Sequence, residues 1–201
     1  MKTIAFDLDG TLIDISERDY RIYSDILMGL SYSPIEKANY WPLRRDKTDI
    51  HRILGKSGCK KDEDVKQFLL KRKEKMEELF YLKMDKLFED TMETLDSLSD
   101  EYNIVILTRR QVEANTRTQC EWLKLDQIAD VRIVKGDKKE QMRAIPSLCV
   151  FVGDTENDIV PANELGVMSV AVTTGIRNKN QLEGLKPTVI VDSLNEILDL
   201  I

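Results

Sequence analysis

Short apolar runs recur along the chain and alternate with segments that have the spacing of amphipathic helices. The predicted strands cover residues 3–6, 103–107, 131–134, 148–152, 168–172 and 188–191, and a last helix follows Ser193. Short apolar strands that alternate with helices indicate a parallel sheet covered on both faces. Right-handed crossovers between such strands produce a doubly wound arrangement. We therefore predict an α/β fold with a doubly wound, Rossmann-like parallel-sheet core.

A long helical segment separates the first two predicted strands. A crossover between parallel strands needs only about a dozen residues, whereas residues 15–99 contain no convincing strand. Apolar residues such as Val65 and Phe68 recur there at helical spacing. We therefore predict two domains, a catalytic core formed by residues 1–13 and 89–201 and an inserted helical domain formed by residues 14–88.

Acidic and hydroxyl residues directly follow three of the predicted strands. Asp7 and Asp9 follow the first strand, Thr108 follows the second, and Asp154 and Asp158 follow the strand at 148–152. Because ligands bind beyond the carboxyl ends of the strands in doubly wound folds, we expect these groups to meet at one edge. Clustered carboxylates without soft ligands favour a hard cation, and Mg²⁺ binds through few carboxylates plus water and phosphate.

Residues beside these acids favour a phosphate ligand. Gly10 permits a tight turn and close approach of the backbone to a ligand, and Thr11 adds a hydroxyl donor. Lys138 and Lys139 open the helix before the strand at 148–152, where a cation would neutralise a phosphoryl transition state. Lys135 is a third candidate for that role.

The motifs and their order resemble the haloacid-dehalogenase superfamily. The run Asp7-Leu8-Asp9-Gly10-Thr11 is similar to its DxDGT motif. Residues 104–108 resemble its second motif, an apolar run that ends in Thr or Ser, and residues 153–158 resemble its GDxxxD motif, with a lysine in the interval between them. The resemblance covers the whole chain and implies a phosphoglycolate-phosphatase-like hydrolase whose inserted helical domain is a cap.

The resemblance implies a role for each matching residue. Asp7 is expected to attack phosphorus and form an aspartyl-phosphate. Asp9 is expected to protonate the leaving group and then to activate water. Thr108 and Lys139 are expected to hold the transferring phosphoryl, and Lys139 is preferred because the run Lys-Glu-Gln-Met is similar to the family pattern. The implied Mg²⁺ ligands are Asp7, the backbone carbonyl of Asp9 and Asp154, with Asp158 either a direct ligand or just outside the direct ligands.

Basic residues near the predicted site are candidate substrate contacts, together with Gly10 and Thr11. Arg109 follows Thr108 directly, and Arg45 lies in a basic segment, residues 44–61. A solvated surface is the simpler explanation of that segment. The resemblance favours residues 44–47, because related caps place a specificity loop near there.

Composition limits the class of partner. The chain has 201 residues and a net charge of −6, and an acidic chain is a poor non-specific binder of nucleic acid or membranes. No apolar run approaches the length of a membrane span. Three cysteines without a disulfide framework and no room for a signal peptide indicate a cytoplasmic protein. We expect a small phosphorylated metabolite as partner, and the oligomeric state stays open.

These features together predict a Mg²⁺-dependent phosphatase that hydrolyses a small phosphate monoester through an aspartyl-phosphate. A sugar phosphomutase similar to β-phosphoglucomutase and a phosphonate hydrolase of the same superfamily are the alternatives. A receiver-like signalling domain also uses a strand-end aspartate, Mg²⁺, Thr and Lys. It lacks an acid/base aspartate two residues on, and it lacks an inserted domain.

Overall fold

The computed structural model describes residues 1–201, and the chain divides into two compact units. The core unit comprises Met1–Asp14 and Lys86–Ile201, and the inserted unit comprises Ile15–Asp85. The domain boundaries predicted from the sequence lie after residues 13 and 88. None of the helices combines the length and the apolar character that a membrane crossing requires.

Eight strands and ten α-helices make up the two units. The strands are β1 (Lys2–Phe6), β2 (Ile13–Asp14), β3 (Lys86–Leu87), β4 (Tyr102–Thr108), β5 (Asp130–Ile133), β6 (Leu148–Gly153), β7 (Met168–Val172) and β8 (Val189–Val191). The helices are α1 (Ser16–Gly29), α2 (Lys37–Arg45), α3 (Ile50–Lys56), α4 (Asp62–Lys75), α5 (Leu79–Leu82), α6 (Thr91–Ser99), α7 (Glu113–Trp122), α8 (Lys138–Arg143), α9 (Glu156–Glu164) and α10 (Lys179–Gly184). Two 3₁₀ segments cover Leu125–Gln127 and Leu194–Asp199.

The core unit is built on a six-stranded parallel sheet in the order β5-β4-β1-β6-β7-β8. This order, with helices between successive strands, confirms the predicted α/β doubly wound class. The last helical segment after Ser193 is a 3₁₀ helix. The two-stranded antiparallel pair of β2 and β3 was not predicted, because strands of two residues are too short to show a period.

Strand β1 lies in the middle of the sheet, between β4 and β6. Its residues Ile4, Ala5 and Phe6 are completely buried, as expected for a strand that is covered on both faces. Burying a side chain such as that of Ile4 contributes about 1.5–3 kcal/mol. The apolar run ends at Asp7, so the chain passes from the core to the sheet edge within one residue.

The inserted unit has an aromatic core of its own. The rings of Tyr23 and Tyr40 are stacked with centroids 4.2 Å apart, and Phe68 packs edge-on against Tyr23. A buried carboxylate, Asp19 of α1, lies beside this core.

Asp19 is held by three donors from other helices of the inserted unit. Arg72 donates at 2.5 Å, Arg44 donates at 2.9 Å, and the Tyr40 hydroxyl donates at 3.0 Å. Burial raises the pKa of Asp19, but Arg72 and Arg44 together lower it more, so the pKa lies below its ordinary value. Arg44, which belongs to the basic segment of the sequence, therefore joins α2 to α1 as a structural ion pair.

We expect Asp19→Asn to lower the free energy of unfolding by about 3 kcal/mol at pH 7, because it leaves the partly buried guanidinium groups of Arg44 and Arg72 without their buried counter-charge. A carboxyl whose pKa is lowered by folding contributes stability above its ordinary pKa of 3.8 and loses it as the pH falls. The difference between wild type and variant should therefore shrink below about pH 4. Urea unfolding at several pH values measures this. Glu17→Gln, which breaks only the exposed pair with Lys37, is the matched control and should change stability by less than about 1 kcal/mol.

Candidate active site

The carboxyl ends of the three adjacent strands β4, β1 and β6 bring the predicted polar residues together. Asp7 follows β1, Thr108 is the last residue of β4, and Asp154 follows β6. A cavity of about 230 Å³ opens at this edge. Its lining consists of Asp7, Asp9, Thr108, Arg109, Lys138, Thr155, Asn157, Asp158 and Ile176.

Three carboxylates form a compact cluster at this edge, and those of Asp7 and Asp158 line the cavity. One oxygen from each of Asp7, Asp154 and Asp158 lies within 4.8 Å of the others. Asp154 and Asp158 are fully buried, and Asp7 is 9% exposed. An all-oxygen set of this kind suits a small hard cation such as Mg²⁺.

The backbone is shaped around the carboxylate of Asp154. One carboxylate oxygen accepts a hydrogen bond of 2.6 Å from the backbone N–H of Ile176, and the other lies 3.5 Å from the Thr11 hydroxyl. A Cβ atom on either Gly10 or Gly175 would collide with this carboxylate. Gly10 also has a φ of +81°, a conformation that favours glycine. The two glycines therefore let the chain approach the acidic cluster closely.

Crowding and burial disfavour the charged forms of these acids. Burial raises the pKa of Asp7 to about 7, an effect that Lys138 opposes and that the charge of Asp158 reinforces. The pKa of Asp154 is also raised well above its ordinary value, by burial and by the neighbouring charges of Asp158 and Asp7. A divalent cation at this cluster would offset the repulsion, so the residues present fit the implied Mg²⁺.

Lys138 is the lysine that the structure brings to the cluster. Its ammonium donates to Asp7 at 2.7 Å and to Asp158 at 2.5 Å, and the residue is 6% exposed. Burial lowers the pKa of Lys138, but Asp158 and Asp7 raise it more, so the pKa lies above its ordinary value. Lys138 is therefore a charged group in direct contact with the predicted nucleophile.

The structure brings Lys138 to the cluster, whereas Lys139, the residue preferred from the sequence, lies elsewhere. The Lys139 ammonium lies 2.7 Å from Glu164, and the exposed Lys135 lies 3.3 Å from Glu113. Adjacent residues of an α-helix point about 100° apart, so only one of Lys138 and Lys139 can face the cluster. The Asp137 side chain accepts from the backbone N–H of Lys139 and caps α8, which makes Lys138 the first helical residue.

The Asp158 carboxylate accepts hydrogen bonds from two neighbouring residues. Its Oδ1 accepts from Lys138, and its Oδ2 accepts from the backbone N–H and the hydroxyl of Thr155, at 3.0 and 2.7 Å. Helix α9 begins at Glu156, so Asp154 lies before the helix and Asp158 lies within its first turn. Asp158 thus joins the start of α9 to Lys138.

Asp9 has a different partner, Arg110, which the sequence analysis missed. The guanidinium of Arg110 donates to both carboxylate oxygens of Asp9, at 2.7 and 2.6 Å. Arg110 is 5% exposed, whereas its neighbour Arg109 is exposed and lines the cavity. The two consecutive arginines after Thr108 were the sequence signal for Arg110. Consecutive side chains after a strand point in different directions, so each arginine was a candidate for a different contact.

The remaining predicted substrate contacts occupy different places. Thr11 is 1% exposed and faces Asp154, and the carbonyl of Gly10 accepts from the Thr174 hydroxyl at 3.1 Å. Thr11 and Gly10 therefore support the chain around the acidic cluster. Arg45 is half-buried and is the last residue of α2, in the inserted unit.

Known proteins resemble this chain over its whole length. A family model described as haloacid dehalogenase-like hydrolase matches residues 1–166. Pyrophosphatase PpaX from Bacillus cereus (strain B4264) is 26% identical, with 100% of this chain and 96% of that protein covered. The structure of a haloacid dehalogenase-like family hydrolase from Streptococcus pneumoniae has a TM-score of 0.75 at 20% identity, covering 100% and 98% of the two chains. The structure of the HAD-hydrolase YfnB from Bacillus subtilis, bound to magnesium, has a TM-score of 0.66 at 16% identity, covering 99% and 97%.

We expect MgCl₂ to raise the Tm of the protein, because an ion that binds only the folded state at a hundred times its Kd stabilises it by about 2.7 kcal/mol. Asp154→Asn should abolish the Mg²⁺-induced shift, whatever its effect on the metal-free protein. Asp130→Asn is the matched control, since Asp130 is an exposed acid at the start of β5. Thermal unfolding with MgCl₂ or with chelator measures the shift. An equal shift in wild type and Asp154→Asn would contradict the assignment of this cluster.

Proposed function

The chain belongs to the haloacid dehalogenase-like hydrolases and is a phosphatase of that family, and we propose that it is Mg²⁺-dependent and acts through an aspartyl-phosphate formed on Asp7. The observation that carries the proposal is the meeting of Asp7, Asp154, Asp158 and Lys138 beside Thr108. This arrangement offers a nucleophile, a cation site and a phosphate contact within one small cavity.

The proposed reaction begins with attack of a carboxylate oxygen of Asp7 on phosphorus. Lys138 lies against Asp7, so its charge would offset the charge of the nucleophile and of the transferring phosphoryl. Thr108, at the end of β4, would hold a phosphoryl oxygen. Asp9 would give a proton to the leaving oxygen and later take one from the attacking water.

Asp7, the backbone carbonyl of Asp9 and Asp154 would hold Mg²⁺. When bound, the ion would shield the anionic nucleophile from the anionic phosphate. Both carboxylate oxygens of Asp158 already accept hydrogen bonds from Lys138 and Thr155. We therefore place Asp158 just outside the direct ligand set, where it orients Lys138.

The substrate we propose is a small phosphate ester. The cavity is small, and exposed Arg109 at its rim suits a leaving group that is itself anionic. Pyrophosphate has such a leaving group, and PpaX, one of the relatives, is named a pyrophosphatase. Pyrophosphate therefore joins the small phosphate monoesters as a candidate substrate.

The inserted unit, residues 15–85, is proposed to act as a cap domain that opens for substrate and closes to exclude water. The structure of YfnB is described as revealing interdomain movement, which is consistent with such motion in a relative. Arg45 is proposed to contribute to substrate binding from this unit.

The first experiment measures phosphate release from a panel of phosphate monoesters and from pyrophosphate, with MgCl₂ or with chelator. We expect metal-dependent release from the wild type and a loss of at least about 10³-fold in Asp7→Asn, because the variant lacks the nucleophile. Release that survives in Asp7→Asn, or no release from any compound, would contradict the proposal. Transfer of label from a bisphosphate to a monophosphate instead of to water would identify a mutase.

A second experiment compares the two adjacent lysines. We expect Lys138→Met to lower kcat/KM by about 10²–10³-fold, because a charge beside the transferring phosphoryl is lost. Lys139→Met is the control, because it removes a neighbouring charge from the same helix and breaks only the ion pair with Glu164. Its activity should stay within about twofold of wild type. Circular dichroism and Tm verify that both variants fold. A loss in Lys139→Met but not in Lys138→Met would restore the assignment made from the sequence.

A further inference from the structure

The pair formed by Asp9 and Arg110 has one buried and one accessible partner. The side chain of Arg110 is 4% exposed, whereas that of Asp9 is 21% exposed and lines the cavity. Arg110 therefore touches Asp9 without offering its guanidinium to a ligand in the cavity. Arg109, which does line the cavity, is the arginine that can reach a substrate.

The geometry of the pair constrains the plane of the Asp9 carboxylate. Nε and one terminal nitrogen of Arg110 donate to the two oxygens of Asp9 separately, which is the fork arrangement of a bidentate pair. A carboxylate has about four lone-pair sites, and the fork uses two. The fork therefore does not exhaust the lone pairs of the Asp9 carboxylate, which lines the cavity.

Arg110 has a second partner besides Asp9. Its terminal nitrogen also donates to the side-chain oxygen of Gln119 at 3.3 Å, and Gln119 is a buried residue of α7. The contacts therefore run from α7 through the loop after β4 to the chain beyond β1. Such a support fixes both the position and the orientation of Asp9 relative to Asp7.

We propose that Arg110 is a positioning residue for proton transfer by Asp9, an inference that rests on the proposed acid/base function of Asp9. In the first step the Asp7–phosphorus bond forms, the bond to the leaving oxygen breaks, and the Asp9 proton goes to that oxygen. In the second step a water oxygen attacks phosphorus, its proton returns to Asp9, and Asp7 leaves as a carboxylate. Both transfers need the same carboxylate to stay in one place, which the fork of Arg110 achieves.

The test is a double-mutant cycle between these two residues, with p-nitrophenyl phosphate and MgCl₂ as the probe. We expect Arg110→Ala to lower kcat by about 10- to 100-fold while KM changes less than threefold, since misplacing a catalytic group by about 1 Å costs about that much. In an Asp9→Asn background, Arg110→Ala should cost less than twofold, because its effect passes through Asp9. Arg117→Ala, which breaks an exposed pair on α7, is the matched control and should leave kcat unchanged.

A conservative variant keeps the test valid if Arg110→Ala fails to fold. Arg110→Lys retains the charge but cannot form the fork, so we expect a smaller fall in kcat that disappears in the Asp9→Asn background. The Mg²⁺-induced rise in Tm should be the same in Arg110→Lys as in wild type, because the side chain of Asp9 is not a proposed metal ligand. A wild-type kcat in Arg110→Lys would overturn the proposal.

The outcomes separate this inference from the proposed function. If Asp7→Asn or Asp9→Asn retains full turnover, the proposed function fails. If both lose turnover but Arg110→Ala matches Arg117→Ala, only the positioning role fails. Equal losses from Arg110→Ala in the wild-type and Asp9→Asn backgrounds would also overturn it, since the arginine would then act independently of Asp9.

Discussion

The crowding of negative charge at the carboxyl edge of the sheet is the constraint on which the rest of the site depends. Asp7, Asp154 and Asp158 are close together and largely removed from water. Buried carboxylates repel one another and lose solvation, so they persist in charged form only with nearby cations or donors. The two contacts of Lys138, to Asp7 and Asp158, supply one positive charge against three acids. The deficit is the physical reason that the site is suited to a divalent ion.

Much of the local structure can be understood as accommodation of these charges. The close approach of Gly10 and Gly175 leaves room for the Asp154 carboxylate, and the backbone N–H of Ile176 donates to it. Thr155 donates to Asp158 at the start of α9. The parallel sheet behind these groups is apolar and fully packed, so it cannot relieve the repulsion by moving. The positions that the strands and helices give to these carboxylates are therefore also the positions in which their charges are accommodated.

The sequence was sufficient to predict the six strands of the parallel sheet and the acids beside them, because each is encoded locally. An apolar run followed by Asp7, Thr108 or Asp154 marks both a strand and its carboxyl end. The choice between Lys138 and Lys139 was not encoded locally, since it depends on where α8 begins and hence on the cap formed by Asp137. The partner of Asp9 was equally inaccessible, because Arg110 and Asp9 are separated by 101 positions and meet only through the pairing of β1 with β4. Tertiary contacts of this kind leave no periodic signal in a single sequence.

The partners of Asp7 and Asp9 show how two neighbouring carboxylates acquire different environments. The residues are two apart, yet Asp7 contacts a lysine from α8 and Asp9 contacts an arginine from the loop after β4. The ammonium of Lys138 donates to one oxygen of Asp7, whereas the guanidinium of Arg110 donates to both oxygens of Asp9. A group that must form a covalent bond needs a free oxygen, and a group that must move protons in two steps needs a constant orientation. Helix α8 and the loop after β4 therefore give the two acids of one short motif separate contacts, as the proposed nucleophilic and proton-transfer roles require.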